Sequence, residues 1–267
     1  MKHVVRRRGA RSAGAWALVS RWVLWALCAL SVPLSQARAA EVQVAVAANF
    51  AGPFQKIAAV FQAQTGHTTR VSVGSTGKFH TQIREGAPFD VLLAADQETP
   101  RRLEDEGLAV KGRTFTYAKG KLVLWSAKAG VVDDQGAVLK KGDFARLALA
   151  NPRLAPYGAA GIETLRALGL YERLQARIVQ GDNIAQAFQF VATGNAELGF
   201  VALSQVAPPD KPAGGSHWVV PPGLYTPILQ DAALLKRGEG NEAAAALLKF
   251  LQGDKARLIV KTFGYAL

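Results

Sequence analysis

The stretch Val71-Ser72-Val73-Gly74-Ser75-Thr76-Gly77-Lys78-Phe79 decides how this chain is read. A short alternating apolar run enters a Gly/Ser/Thr turn, and the turn leads into helical spacing at Phe79 and Ile83. That is strand, tight loop and helix start. Such a junction leaves main-chain N–H groups unpaired and points hydroxyls at one spot, which favours an anion. A nucleotide-binding P-loop needs four residues between its glycines and Ser or Thr after the lysine. Here only Ser75 and Thr76 separate Gly74 from Gly77, and Phe79 follows Lys78, so the pattern argues against a nucleotide. An ordinary capped strand-to-helix turn remains open on these residues alone.

Outward from this stretch, strand and helix alternate. Residues 41–48 form an apolar run with Val42, Val44 and Val46, and Phe54, Ile57 and Phe61 follow at helical spacing. Residues 89–95 form a third apolar strand, and a helix over 98–106 stops at Gly107. Strand followed by helix three times predicts an α/β sheet with parallel crossovers, covered on both faces. The alternation resumes from residue 121, with strands over 121–126, 147–150, 177–180 and 198–202. One sheet of a dozen strands would be unusually large, so two similar lobes are expected.

Composition removes one segment from the fold. Residues 1–39 lack Asp and Glu and carry Lys2, Arg6, Arg7, Arg8, Arg11, Arg21 and Arg38. The apolar run over 23–34 is too short to span a bilayer, and Ala37-Arg38-Ala39 offers small residues in an A-x-A pattern. This reads as a secretory signal for Sec export, cleaved after Ala39, with an N-terminal membrane anchor as the alternative. Cys28, the only cysteine, lies inside it, so the mature chain of about 228 residues has no thiol chemistry or disulfide. Seven cations leave with the signal, and the formal charge falls from +12 to +5. The remaining cations are scattered, with no basic stripe interleaved with aromatics, so no nucleic-acid partner is expected.

Ligands of open α/β sheets bind outside the carboxyl ends of strands. Four such junctions are rich in donors or glycine: Ala47-Ala48-Asn49-Phe50, Gly74-Ser75-Thr76-Gly77, Pro156-Tyr157-Gly158 and Asp182-Asn183-Ile184. Each offers N–H groups at a helix start, and Asn49, Ser75, Thr76 and Tyr157 add neutral side-chain donors. Split between two lobes, they describe a cleft closing on a small, acceptor-rich ligand. Lys78 is the only cation in these junctions and reads as pointing outward; Asp182 reads as the cap of the helix after it. Hydrogen phosphate needs an acceptor for its proton, so a donor-only site leans toward sulfate, molybdate or tungstate. Catalysis finds no support: His67, His80 and His217 lack partners at triad or metal spacing, and no serine sits in a G-x-S-x-G elbow.

Six segments in this order resemble the periplasmic molybdate-binding proteins of bacterial ABC transporters: Val-Ala-Val-Ala-Ala-Asn-Phe (44–50), Gly-Ser-Thr-Gly-Lys-Phe (74–79), Gly-Ala-Pro-Phe-Asp-Val-Leu-Leu-Ala-Ala-Asp (86–96), Gly-Lys-Leu-Val-Leu-Trp-Ser (120–126), Asn-Pro-Arg-Leu-Ala-Pro-Tyr-Gly (151–158) and Glu-Leu-Gly-Phe-Val-Ala-Leu-Ser (197–204). The resemblance spans about residues 41–267. It implies a two-lobed type II periplasmic binding-protein fold, the first lobe formed by 40–118 and 224–267 and the second by 119–223. It implies a monomeric, non-enzymatic periplasmic receptor that needs no cofactor and delivers molybdate or tungstate to an inner-membrane ABC permease. The alternatives are a receptor for sulfate or another small oxyanion, or an exported enzyme acting on an anionic small molecule.

The family pattern also implies the ligand set. Asn49, Thr76, Tyr157 and Ile184 hold the metal as its oxyanion, never as a bare cation. Thr76 gives a hydroxyl, Ile184 a main-chain N–H, and Tyr157 both a main-chain N–H and its phenol. Two positions depart from the pattern: Ala48 replaces a hydroxyl residue of one branch of the family, and Ala202 a tyrosine of another.

Overall fold

The computed structural model describes residues 1–4 and 39–267. Residues 5–38, which hold most of the expected export segment and Cys28, lie outside the described residues. No helix among the described residues is long and apolar enough to cross a membrane.

Residues 39–267 fold around two five-stranded sheets. The first contains β1 (Glu41–Ala47), β2 (Thr68–Gly74), β3 (Val91–Leu93), β4 (Ala109–Gly120) and β10 (Ile228–Leu235), in the order β2-β1-β3-β10-β4. The second contains β5 (Leu122–Ser126), β6 (Leu147–Ala150), β7 (Ile178–Gly181), β8 (Leu198–Ala202) and β9 (Ser216–Val219), in the order β7-β6-β8-β5-β9. The chain passes from the first sheet to the second between β4 and β5 and returns between β9 and β10.

Both sheets are mixed rather than wholly parallel. In the first, β1 runs parallel to β2 and β3, with Val44 beside Val71 and Val91, while β10 runs antiparallel to β3 and β4. In the second, β6 is parallel to β7 and β8, and β5 is antiparallel to β8 and β9. The antiparallel strands flank the two crossings, where the chain changes sheets.

Helices cover both faces of the first sheet. On one side, α1 (Ala51–Thr65) buries Phe54, Ile57 and Phe61 against Val42, Val44 and Val46, all of which are fully buried or nearly so. Each such side chain contributes roughly 1.5–3 kcal/mol relative to exposure. On the other, α2 (Thr76–Arg84) and α3 (Glu98–Asp105) place Phe79, Ile83 and Leu103 over Ala45 and Leu92. In the second sheet, α4 (Ala137–Lys141), α5 (Pro156–Ala167), α6 (Tyr171–Leu174), α7 (Ile184–Ala192) and α8 (Leu203–Val206) follow the strands. The closing helices α9 (Glu242–Leu251) and α10 (Asp254–Thr262) return to the α1 side of the first sheet.

Two elements differ from the sequence reading in ways that matter for the site. Helix α2 begins at Thr76, three residues before the apolar spacing that signalled it, so the Gly-Ser-Thr segment is the helix start itself. The twelve-residue β4 has no counterpart in the sequence reading. It is an edge strand whose Lys111, Gly112 and Arg113 are exposed, so its apolar alternation is interrupted.

Candidate functional site

The four donor-rich junctions meet at one cavity. It is lined by Ala47, Ala48 and Asn49 at the end of β1, Gly74, Ser75 and Thr76 at the end of β2, and Ala95 after β3. Facing them from the second sheet are Ala155, Pro156 and Tyr157 at the start of α5, and Asn183 and Ile184 at the start of α7. A water-sized sphere has about 10 Å³ in which to centre, so the cavity suits one small group of atoms. Its walls carry no Asp, Glu, Lys, Arg or His.

Helix starts supply the polarity. The main-chain N–H groups of Thr76, Tyr157 and Ile184 have no main-chain partner among the described residues. Each sits in a first helical turn, where the macrodipole is positive. At α7, Asn183 Oδ1 accepts from the N–H groups of Ala185 at 2.9 Å and Gln186 at 3.1 Å, leaving that of Ile184 over. The cap is therefore Asn183 and not Asp182, which instead receives Lys78 Nζ at 2.6 Å. Lys78 is thus paired across the cleft, not turned outward as the sequence suggested.

Further contacts join the two halves around the cavity. Gly77 N–H donates to Leu154 C=O at 2.9 Å. Ser204 Oγ donates to Asn49 C=O at 2.9 Å, Thr226 N–H donates to Glu163 Oε2 at 2.6 Å, and Lys56 pairs with Asp210. A larger groove of about 600 Å³ shares Ala95, Ala155 and Pro156 with the cavity. Asp96, Glu98, Arg102, Arg153 and Glu163 line that groove, a mixture of charges that suits solvent better than a small dianion. Within it Asp96 is already occupied, accepting from Thr99 N–H at 2.9 Å. No cluster of three or more His, Cys, Asp or Glu able to hold a bare metal ion occurs among the described residues.

Residues 42–266 match the family model described as bacterial extracellular solute-binding protein. The chain belongs to this family. Molybdate-binding protein ModA of Azotobacter vinelandii is 59% identical over 231 residues, covering 86% of this chain and 92% of that protein. Molybdate-binding protein ModA of Rhodobacter capsulatus is 52% identical over 229 residues, covering 86% and 89%. The solved Azotobacter vinelandii periplasmic molybdate-binding protein superposes with a TM-score of 0.82 and 43% identity at structurally matched positions, covering 85% of this chain and 99% of that one. The sulfate-binding protein SubI of Mycobacterium tuberculosis shares the fold, with a TM-score of 0.72 at 14% identity.

In this solute-binding protein all four expected ligand residues line the cavity, but their side chains are engaged differently. Thr76 Oγ1 accepts from Ala95 N–H at 3.0 Å, which leaves its own hydrogen available to the cavity. Both hydrogens of the Asn49 amide are committed elsewhere, to Gln230 Oε1 at 2.7 Å and Tyr265 Oη at 3.0 Å. The Tyr157 phenol packs against the first crossing: a Cβ on Gly120 would lie 2.1 Å from its oxygen. Gln230 Nε2 lies 3.5 Å from the same oxygen, and neither Gly120 nor Gln230 lines the cavity. Ala48 lines the cavity, whereas Ala202 is buried outside it, its N–H donating to Gln205 Oε1 at 3.0 Å.

The sequence reading also missed the layer beneath the cavity. Gln230, fully buried on β10, accepts from Asn49, and Tyr117 Oη approaches its Oε1 at 3.3 Å. Tyr265 Oη lies 2.8 Å from Asn49 C=O and 3.0 Å from Ser204 Oγ. No local motif flags these residues, because they lie far from the junctions in sequence.

Two expected outcomes follow from this arrangement. Thr76→Ala removes a hydroxyl and strands the buried Ala95 N–H, so stability should fall by about 1–3 kcal/mol. Thr76→Ser should recover most of that loss in thermal melts. The second outcome concerns alkali. Burial, its chief cause, pushes the Tyr265 phenol from its ordinary 10.0 up to about 12, and burial first also raises Tyr117 and Tyr157 well above the ordinary 10.0. The unfolded chain then loses these protons at lower pH than the folded one. The stability involved is full below pH 10 and drains as pH rises through 12, by about 1.4 kcal/mol per unit for each tyrosine. Denaturant titrations between pH 9 and 12 should show this slope, and Tyr265→Phe should reduce it.

Proposed function

We propose that this chain is a periplasmic receptor that captures molybdate or tungstate and passes it to an ABC permease of the inner membrane. It is a binding protein and not an enzyme. The observation that carries the reading is the cavity itself: Thr76, Tyr157 and Ile184, each with a helix-start N–H lacking a main-chain partner and the first with a hydroxyl, line it from both sheets, with no ionised side chain on the walls.

A permanently deprotonated tetrahedral dianion matches such walls. Its oxygens only accept, and each N–H or O–H aimed at it makes a charge-assisted hydrogen bond strengthened by exclusion of water. Hydrogen phosphate would bring a proton for which no carboxylate waits in the cavity. The dianion needs no counter-cation, because partial charges at helix starts are fixed in place before it arrives. We further propose that export uses the segment over 1–39 with cleavage after Ala39, that the lobes are 40–118 with 224–267 and 119–223, and that the chain works as a monomer without a resident cofactor. In this reading, binding draws the lobes together at Asn49, Thr76, Tyr157 and Ile184.

Calorimetric titration of the chain from Ala40 onward with molybdate, tungstate, sulfate and phosphate tests the proposal. Molybdate and tungstate should bind at least about a hundredfold more tightly than sulfate, the discrimination that about 2.7 kcal/mol gives. Equal affinity for sulfate would overturn the molybdate assignment, and absence of heat with all of them would overturn the receptor reading.

A further inference from the structure

We infer that the Ser75 hydroxyl is a further donor to the bound oxyanion, beside Thr76. The inference rests on the oxyanion-receptor reading and deepens it.

Ser75 occupies the N-cap position of α2, with extended backbone at φ −86° and ψ 147°. A serine there ordinarily accepts a hydrogen bond from an N–H of the first turn. Ser75 makes no such bond. One natural partner, Gly77 N–H, is turned across the cleft to Leu154 C=O at 2.9 Å. Another N–H of this turn, that of Phe79, goes to the main-chain oxygen of Ser75 at 3.1 Å.

The hydroxyl is left in an unusual state. Ser75 is 3% exposed and lines the cavity, and its Oγ has no hydrogen-bond partner. Only His80 Nε2 shares that condition among the described residues, and it lies 3.3 Å from Glu106 Oε1. Orphaned buried hydroxyls are rare and costly, so each calls for an explanation. Here Ser75 lines the same cavity as Thr76, Tyr157 and Ile184, so an oxyanion bound there would supply the missing partner. Contact between the lobes takes Gly77 N–H to Leu154 C=O, and the hydrogen of the serine hydroxyl, which a cap would not use, stays available to donate.

Ser75→Ala, with Ser75→Thr as the variant that restores a hydroxyl, tests the inference. Each is titrated with molybdate and melted without ligand. Ser75→Ala should raise the molybdate Kd by about tenfold, Ser75→Thr should recover part of the loss, and the ligand-free melting temperature of Ser75→Ala should match or exceed that of the native chain. A native Kd in Ser75→Ala would overturn the inference, because the hydroxyl would then be an unsatisfied buried group and nothing more. A weaker Kd with no recovery in Ser75→Thr would overturn it as well. If the native chain itself bound no molybdate, the receptor reading would fall first and this inference with it.

Discussion

Replacing Gly77 by valine is expected to weaken oxyanion binding at least a hundredfold while leaving each lobe folded. Gly77 stands in the first turn of α2, and its N–H reaches Leu154 C=O in the opposite lobe. A Cβ there would sit 3.0 Å from Leu154 Cα and 3.2 Å from both its carbonyl oxygen and Cδ2. Backbone on the far side cannot rotate away as a side-chain tip can. Extra methyl groups therefore act as a wedge between the lobes. If the wedge lowers the closed population to about one in a hundred, the apparent Kd rises a hundredfold with the donors untouched. The local effect on α2 has the opposite sign, since a residue other than glycine favours the helix by up to about 1 kcal/mol. Melting without ligand should be unchanged or slightly higher, while titration shows the loss. Gly77→Ala should give a smaller loss in the same direction. Native affinity in Gly77→Val would show that the lobes need not meet at Leu154 for binding.

Ile184→Pro is the second large effect, about tenfold to a hundredfold in Kd, the range expected for one hydrogen bond to a charged acceptor. Proline suits the first position of a helix, where its missing N–H breaks no helical bond. Asn183 before it is already extended, at φ −150° and ψ 176°, as a residue preceding proline prefers. Asn183 continues to cap Ala185 and Gln186, so α7 still starts in place. The substitution thus deletes one main-chain donor that no ordinary side-chain change can reach. It also trims a side chain that is only 3% exposed, and Ile184→Val controls for that loss because it keeps the N–H. Equal Kd values for the two variants would remove Ile184 N–H from the ligand set.

Much of this architecture was legible in the chain because its signals are local. Val42, Val44 and Val46 announce β1, and the helix following it is spaced by Phe54, Ile57 and Phe61. The junction residues stand at strand ends, where an α/β sheet places ligands. What stayed hidden depended on distant partners or on competition between neighbours. Asp182 and Asn183 are both good caps, and only the position of Lys78 across the cleft shows why Asn183 caps while Asp182 pairs. Asn49 reads as a free donor until Gln230 and Tyr265 are seen to hold its amide. Gly77 lowers helix propensity where α2 begins, so the apolar spacing marks the helix only from Phe79, three residues after its start at Thr76. Strand β4 hides behind its exposed cations, as edge strands often do.

Tyr265 is the third residue from the end of the chain, yet it accepts from an amide 216 positions earlier. Lys119 and Ala266 exchange hydrogen bonds in the same corner, at 2.8 Å and 3.0 Å. The floor of the cavity is therefore fastened by residues far apart in the sequence. Nucleation of either sheet can start earlier from local contacts, but this pairing closes one of the longest loops the chain contains. Competence to hold an anion thus waits on a contact that forms only when distant parts of the fold have met. A chain in which this corner had not yet closed would have two recognisable sheets and an Asn49 amide held by Gln230 alone.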